Sequence, residues 1–322
     1  VRGRPGQVMP AVFALATAFV VLVVSVLSTV AELRPRAAAP APGTGSAVTE
    51  ASAAGTAPED APGDGPDGPD GLQVTMDVLY AGGPAAEAAE GTAGGSAAET
   101  AGEAVPGGGV PSAAKASRAA ASASRAQCRD TAYALAGWRV KGTAGWYYNS
   151  SGAPSAVSRT ALSAIASAAR SLVGASNQCG LPAPFKAGQK YLGATKRTAA
   201  VSTSSRTSCG TEDGHSVVAW KRLGSTALAV TCTWTRSGQV VSSDIVINTR
   251  YRWHTSRPSR CTSSFDLASV LTHEWGHAFG LTHVSPSKHG TQVMASTIPA
   301  CSSVRTLGAG DHRAMRRLYG VR

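Results

Sequence analysis

Apolar residues run from Val8 to Val30 with only Pro10 and a few Ser and Thr between them, a stretch long enough to cross a bilayer. Arg2 and Arg4 precede it. Residues 1–31 therefore read as a signal peptide, with residues 29–31 a weak small-x-small cleavage site, or as an uncleaved signal anchor. Arg34 and Arg36 follow the run and balance the first pair, so charge does not fix an orientation. Between residues 32 and 127 the pattern dissolves into Ala, Gly, Pro, Ser, Thr and acids, as in GDGPDGPDG and AAEAAEGTAGG. Such a segment buries too little apolar surface to offset chain entropy and is expected to be a disordered stalk or a propeptide. Leu72 to Tyr80 is its one apolar run, and it is too short to form a core.

Periodicity returns after Cys128. Gly145 to Asn149 reads as a strand, and Leu162, Ile165, Ala169 and Leu172 recur at helical spacing, with Ser155 or Ser158 as candidate cap and Gly174 as stop. Further strands are predicted over Ser216–Trp220, Ala227–Thr235 and Val240–Asn248. A second helix is predicted from near Ser264 through Phe279 to Gly280, with Asp266 suited to its positive end, and a last short one over Asp311–Tyr319. Strands before helices, with one helix interleaved, indicate an α/β or α+β domain.

Composition sharpens this division. All Trp, His and Cys residues lie at or beyond Cys128, while residues 1–127 contain only Phe13, Phe19 and Tyr80 as aromatics. A chain of 322 residues is long enough for two domains, yet a packed core is expected only in residues 128–322. Charge divides at the same place: residues 32–127 carry net −7 and residues 128–322 net +16. The six cysteines follow an export signal, so three disulfides are expected. Cys261 and Cys301 bracket the candidate site described next and are expected to pair. The simplest remaining pairs are Cys128 with Cys179 and Cys209 with Cys232.

The segment Thr272 to His283 reads THEWGHAFGLTH and contains H-E-x-x-H-x-x-G-x-x-H. On a helix, residues i and i+4 share a face, so His273 and His277 can aim at one ion. Gly280 can end the helix in a conformation other residues avoid, returning His283 toward the same ion. Three neutral imidazoles suit zinc and leave a fourth position open to water. Glu274 is placed to take a proton from that water and later return it to a leaving amine. The other histidines, His215, His254, His289 and His312, lack ligand spacing, and Trp275 should face away from the metal into the core.

This segment resembles the zinc site of the metzincin metallopeptidases, and within them the matrixin-like domains. The resemblance implies His273, His277 and His283 as zinc ligands, Glu274 as general base, Gly280 as the turn glycine and Met294 as the Met-turn methionine under the metal. Ser243 to Asn248 resembles the edge-side strand before the active-site helix, and Leu307 to Gly320 the C-terminal helix. The likeness extends over about residues 138–320. It implies a mixed twisted sheet, an active-site helix below it and a disulfide-tied C-terminal subdomain. Matrixin propeptides often hold zinc through a cysteine, but residues 1–127 contain none. Asp77 could block the zinc in its place, although an acid in a polar tract is expected to be solvated. Matrixins also bind calcium, for which Glu212, Asp213 and Asp244 are the candidates here.

The expected protein is an exported zinc endopeptidase acting on proteins or peptides, either secreted or held at the outer face of the membrane by an uncleaved N-terminal segment. The excess of basic charge suggests anionic cell-envelope polymers as partners. Nucleic acid is not expected, since no nucleic-acid-binding motif is present and the chain is exported. The alternative is a cell-surface binding module with a structural metal site. Glu274, which a structural site does not need, argues against it.

Overall fold

The computed structural model describes residues 71–82, 122–203, 206–224 and 226–322. The expected signal or anchor segment and most of the expected stalk lie outside the described residues. The described residues up to Cys209 contribute β1 (Leu72–Gly82), β2 (Ala134–Leu135), β3 (Thr143–Tyr148), α1 (Ala161–Val173), β4 (Gly188–Ala194), β5 (Val201–Ser202) and β6 (Ser208–Cys209). There follow β7 (Val217–Lys221), β8 (Ala227–Arg236), β9 (Gln239–Asn248), β10 (Arg252–His254), β11 (Ser264–Asp266), α2 (Leu267–Ala278), β12 (Leu281–Thr282), α3 (Pro286–His289), β13 (Thr297–Pro299) and α4 (Ala309–Tyr319). Among the described residues no helix is long and apolar enough to cross a membrane.

Seven strands form one mixed sheet in the order β13-β1-β8-β9-β7-β3-β4. From β9 through β7 and β3 to β4 the strands run parallel, whereas β8 is antiparallel to both β9 and β1. Alternation sorts the sheet's side chains onto two faces. Val218, Trp220, Ile245 and Ile247 join the main core with the helices, while Val217, Ala219, Val246, Val230 and Trp234 form a smaller cluster opposite. The predicted strands agree with β3, β7, β8 and β9 to within two residues at their ends. One implied placement is corrected: β9, which contains Ser243 to Asn248, lies inside the sheet between β8 and β7 rather than at its edge.

The helix α1 buries Ala161, Ala164, Ile165, Ala168, Ala169 and Leu172, one stripe at helical spacing. It ends at Gly174 as predicted, but Thr160 rather than Ser155 or Ser158 precedes it, with no side-chain cap. All twelve residues of α2 are buried. This helix begins at Leu267 and not near Ser264, because Ser264–Asp266 pair in parallel with Arg252–His254. Asp266 then accepts from the Ala268 N–H and the Ser269 hydroxyl, a side-chain cap on orphan donors of the first turn. Arg305 clamps the same carboxylate through Nε and Nη2 at 2.6 and 2.9 Å.

Cys128–Cys179, Cys209–Cys232 and Cys261–Cys301 are bonded, which is the expected pairing throughout. The expectation for residues 32–127 fails at two places. Residues 122–129 are helical, and Leu72–Gly82 is a strand of the main sheet. The run 72–82 is indeed too short for a core of its own; it is stabilised by borrowing one, pairing with β8 from Leu72 to Tyr80 and with β13 from Tyr80 to Gly82.

Candidate metal centre and active site

Helical spacing puts His273 and His277 one turn apart on α2, and the turn that follows brings in the third imidazole. Gly280 has φ +91°, and a Cβ there would lie 2.1 Å from the Trp138 carbonyl oxygen, so the reversal needs glycine twice over. The chain then passes through β12 to His283, and the Val284 N–H donates to the Met294 carbonyl at 2.9 Å. The three Nε2 atoms are 2.9 Å (His273–His277), 3.1 Å (His277–His283) and 3.2 Å (His273–His283) apart. His273 Nδ1 donates to the Val293 carbonyl at 2.7 Å and His277 Nδ1 to the Leu281 carbonyl at 3.1 Å. Since a carbonyl can only accept, both Nε2 lone pairs are left free to face the triangle. Burial depresses the basicity of all three rings, holding His283 at about 4 and the others well below their ordinary value. Neutral nitrogens about 3 Å apart fit one tetrahedral ion with Zn–N bonds of about 2.0–2.1 Å. Among the described residues these three are the only cluster of His, Cys, Asp or Glu able to hold a metal.

Beneath the triad, Met294 lies against α2 at Gly276, where a Cβ would come within 2.3 Å of its sulfur. Trp275 points the other way, into the core beside Trp146 at 5.3 Å between ring centroids, as expected. Glu274 is fully buried, and its Oε1 has no partner. Its Oε2 accepts from the hydroxyl of Thr231 on β8. Burial, reinforced by the nearby carboxyl of Asp77, pushes Glu274 up to about 8.

Asp77 was expected to be solvated, and it is not. It is 6% exposed on β1, directly opposite Thr231 in the register, with Oδ1 3.5 Å from His277 Nδ1 and Oδ2 unpartnered. Desolvation raises it to about 7. Its closest approach is to the nitrogen of His277 turned away from the triad, so it lies beside the three Nε2 atoms and not among them. Thr231 and Asp77 are thus site residues that sequence reasoning missed or set aside. A third is Asp311, read only as a helix start. Its carboxylate accepts from the N–H groups of Gly308, Val293 and Met294, at 2.9, 2.8 and 3.2 Å. The Val293 carbonyl in turn orients His273, so α4 anchors the Met294 turn and, through it, the first imidazole.

The remaining histidines have separate partners, as expected. His254 meets Ser264, His289 meets Asp130, His312 meets the Pro182 carbonyl and His215 meets Asp213. The calcium candidates do not converge. Glu212 accepts from Gly214 N–H and Ser242, Asp213 faces Arg197 and His215, and Asp244 takes the N–H groups of Ala200 and Val217. Local backbone donors have claimed these carboxylates, and calcium is not supported.

Residues 223–320 match the matrixin family, a span that runs from just before β8 through α2 and the Met294 turn to the end of α4. A soybean (Glycine max) protein named Metalloendoproteinase 1 is 33% identical over 88 residues, which cover 27% of this chain and 23% of that protein. The chain therefore spans less than a quarter of that relative's length. The match does not reach β3, α1, β4 or β7, whose places in the fold come from the structure alone. From just before β8 to the end of α4, the chain is thus similar to the matrixin domains of the metzincins.

Proposed function

We propose that this protein is an exported zinc-dependent endopeptidase in which His273, His277 and His283 hold the metal and Glu274 is the general base. The observation that carries the reading is the buried Glu274 carboxylate, with one oxygen held by Thr231 and the other free, adjoining three imidazoles whose free lone pairs converge. A purely structural metal site has no use for such a group. Zinc, when bound, supplies Lewis acidity toward the scissile carbonyl and the attacking water. The chain's own residues do the rest. Glu274 accepts the proton of the attacking water and delivers it to the amine that leaves, while Thr231 fixes the carboxylate's orientation. The hydrogen bonds from Nδ1 of His273 and His277 hold those rings in the tautomer that ligation requires. Burial keeps all three unprotonated. Three disulfides support an oxidising, extracytoplasmic setting.

The test compares Glu274→Gln and His277→Ala with the parent chain, each made alone and in an Asp77→Ala background, because Asp77 crowds the same pocket. Zinc content and chelator-sensitive cleavage of a peptide library are measured together. Glu274→Gln should keep its zinc and lose at least about a hundred- to ten-thousand-fold in rate, whereas His277→Ala should lose the metal. A chain that binds zinc and cleaves nothing in either background would instead be the surface binding module with a structural metal.

A further inference from the structure

The strand β7 begins later than both of its neighbours in the sheet. It starts at Val217, which faces Tyr147 of β3, while Val218 faces Ile245 of β9. The three strands are parallel, so the residues of β9 from Gln239 and of β3 from Thr143 extend back past the start of β7. Neighbouring strands lie about 4.8 Å apart, and a gap one strand wide is therefore left between β9 and β3. Ser216 closes its head: the carbonyl accepts from the Tyr147 N–H and the Oγ from the Ser243 N–H. Residues 139–141 close its foot, where Arg139 donates to the Gly238 carbonyl and accepts from the Val240 N–H. Behind it stands the face of α2 turned away from the imidazoles, with Trp275 and Ala278. The pairing of β8 with β9 shifts here, from Trp234 opposite Ser242 to Thr235 opposite Val240, and the bulged Val241 lies 42% exposed at the rim beside exposed Lys141. These elements enclose a cavity of about 110 Å³.

The polar groups of this cavity are chiefly donors. Trp275 is 2% exposed, and its Nε1–H, which can only donate, has no partner among the described residues. A buried donor without an acceptor is costly. Ser216 Oγ already accepts from the chain, which leaves its proton to give. Lys141 adds an ammonium, and no lining residue is acidic. Residues 128–322 carry net +16, which draws anions toward the surface. Size narrows the choice further. Drug-sized ligands occupy about 300–1,000 Å³, and a cavity of about 150 Å³ holds benzene. On that scale this one takes a molecule of about four or five non-hydrogen atoms, too small for a stretch of peptide.

We propose that the gap between β9 and β3 is a binding site for a small carboxylate of about two or three carbons, which accepts from Trp275 Nε1 and the Ser216 hydroxyl while Lys141 balances its charge. The site is separate from the metal centre, and it stands whether or not that centre cleaves peptides. Its ligand touches the back of the helix whose front carries His273, Glu274 and His277.

The experiment uses the full zinc-loaded chain with nitrogen-15-labelled tryptophan, and sodium propionate as the probe at constant ionic strength. Saturating acetohydroxamate occupies the zinc, so carboxylate binding at the metal does not contribute. The indole N–H resonance of Trp275 is assigned by its loss in Trp275→Phe, and saturation-transfer spectra of propionate give the affinity in every variant. Propionate and acetate should shift this resonance saturably and slow its hydrogen exchange, leaving the other five tryptophans unmoved. Hexanoate is too long for the cavity and propylammonium cannot accept, so neither should bind. Trp275→Phe should weaken propionate by about tenfold or more, the worth of a hydrogen bond to a charged group. Lys141→Glu, at an exposed position, should weaken it by about threefold or more, and it decides alone if Trp275→Phe does not fold. A Trp275 resonance indifferent to propionate would leave solvent as the only occupant and overturn the proposal. So would binding of hexanoate or propylammonium as tight as that of propionate, a response abolished by acetohydroxamate, or a deciding variant that keeps the parent's affinity.

Discussion

Thr231 shows why a site residue can be invisible in a sequence. Threonine is common in strands, and nothing local separates it from Thr233 or Thr235; its meaning comes from Glu274, 43 positions away. Removing its hydroxyl deprives a buried carboxylate of its one side-chain partner. Thr231→Val, measured in the Asp77→Ala background, should retain full zinc and lower the cleavage rate by roughly ten- to a hundredfold, the worth of a hydrogen bond to a charged group. Thr231→Ser should restore most of it. The three histidines and Glu274 were legible because a helix and a glycine turn fix their relations over eleven residues. Asp77 and Asp311 were not, since each acts on groups that only the tertiary fold brings near. Gly280 is legible for the same local reason, and Gly280→Ala should be severe. The φ of +91° and the contact with the Trp138 carbonyl both oppose a side chain, so weakened zinc retention and a fall of at least about 1–2 kcal/mol in urea-unfolding stability are expected.

The elements that sequence reasoning recovered are those with a clean period. The strands β7, β8 and β9 alternate between two buried faces, and α1 keeps one stripe of Ala, Ile and Leu. The element it misjudged, β1, has an apolar sequence but no core within reach along the chain, and only pairing with β8 and β13 supplies one. The start of α2 was misplaced by three residues because a short parallel pairing outcompeted a first helical turn. Within β9, Asp244 ties the sheet to its surroundings by accepting from Ala200 and Val217, and desolvation raises it from 3.8 to about 6. A carboxyl raised in this way holds its proton in the native state at a pH where the unfolded chain has released it. Its contribution to stability is therefore full below about pH 4 and is lost as pH rises through about 6. In metal-free protein, the difference in unfolding free energy between the parent and Asp244→Asn should move against the parent by up to roughly 3 kcal/mol over that window. Urea titrations across the pH series check the sign; a difference that does not vary with pH would refute it.

For the molecule as a whole, the cysteines gave long-range information that periodicity could not. Cys209–Cys232 joins β6 to β8, the strand that carries Thr231, across 23 residues. Replacing both cysteines by serine should lower stability by about 3 kcal/mol in the chain-entropy model, and hydrogen exchange should show the loss concentrated along β8. Charge was legible as a division between two segments, and its consequence became visible only when part of the acidic segment was found within the basic domain.

The Asp311 clamp has a consequence in time. All three candidate imidazoles and the Met294 turn precede α4 in the chain, yet the turn's N–H groups and the carbonyl that steers His273 are tied to a carboxylate that α4 carries. A chain made only as far as the Met294 turn carries every candidate ligand without the clamp that sets their geometry. Completion of the site therefore waits on the last helix to be synthesised.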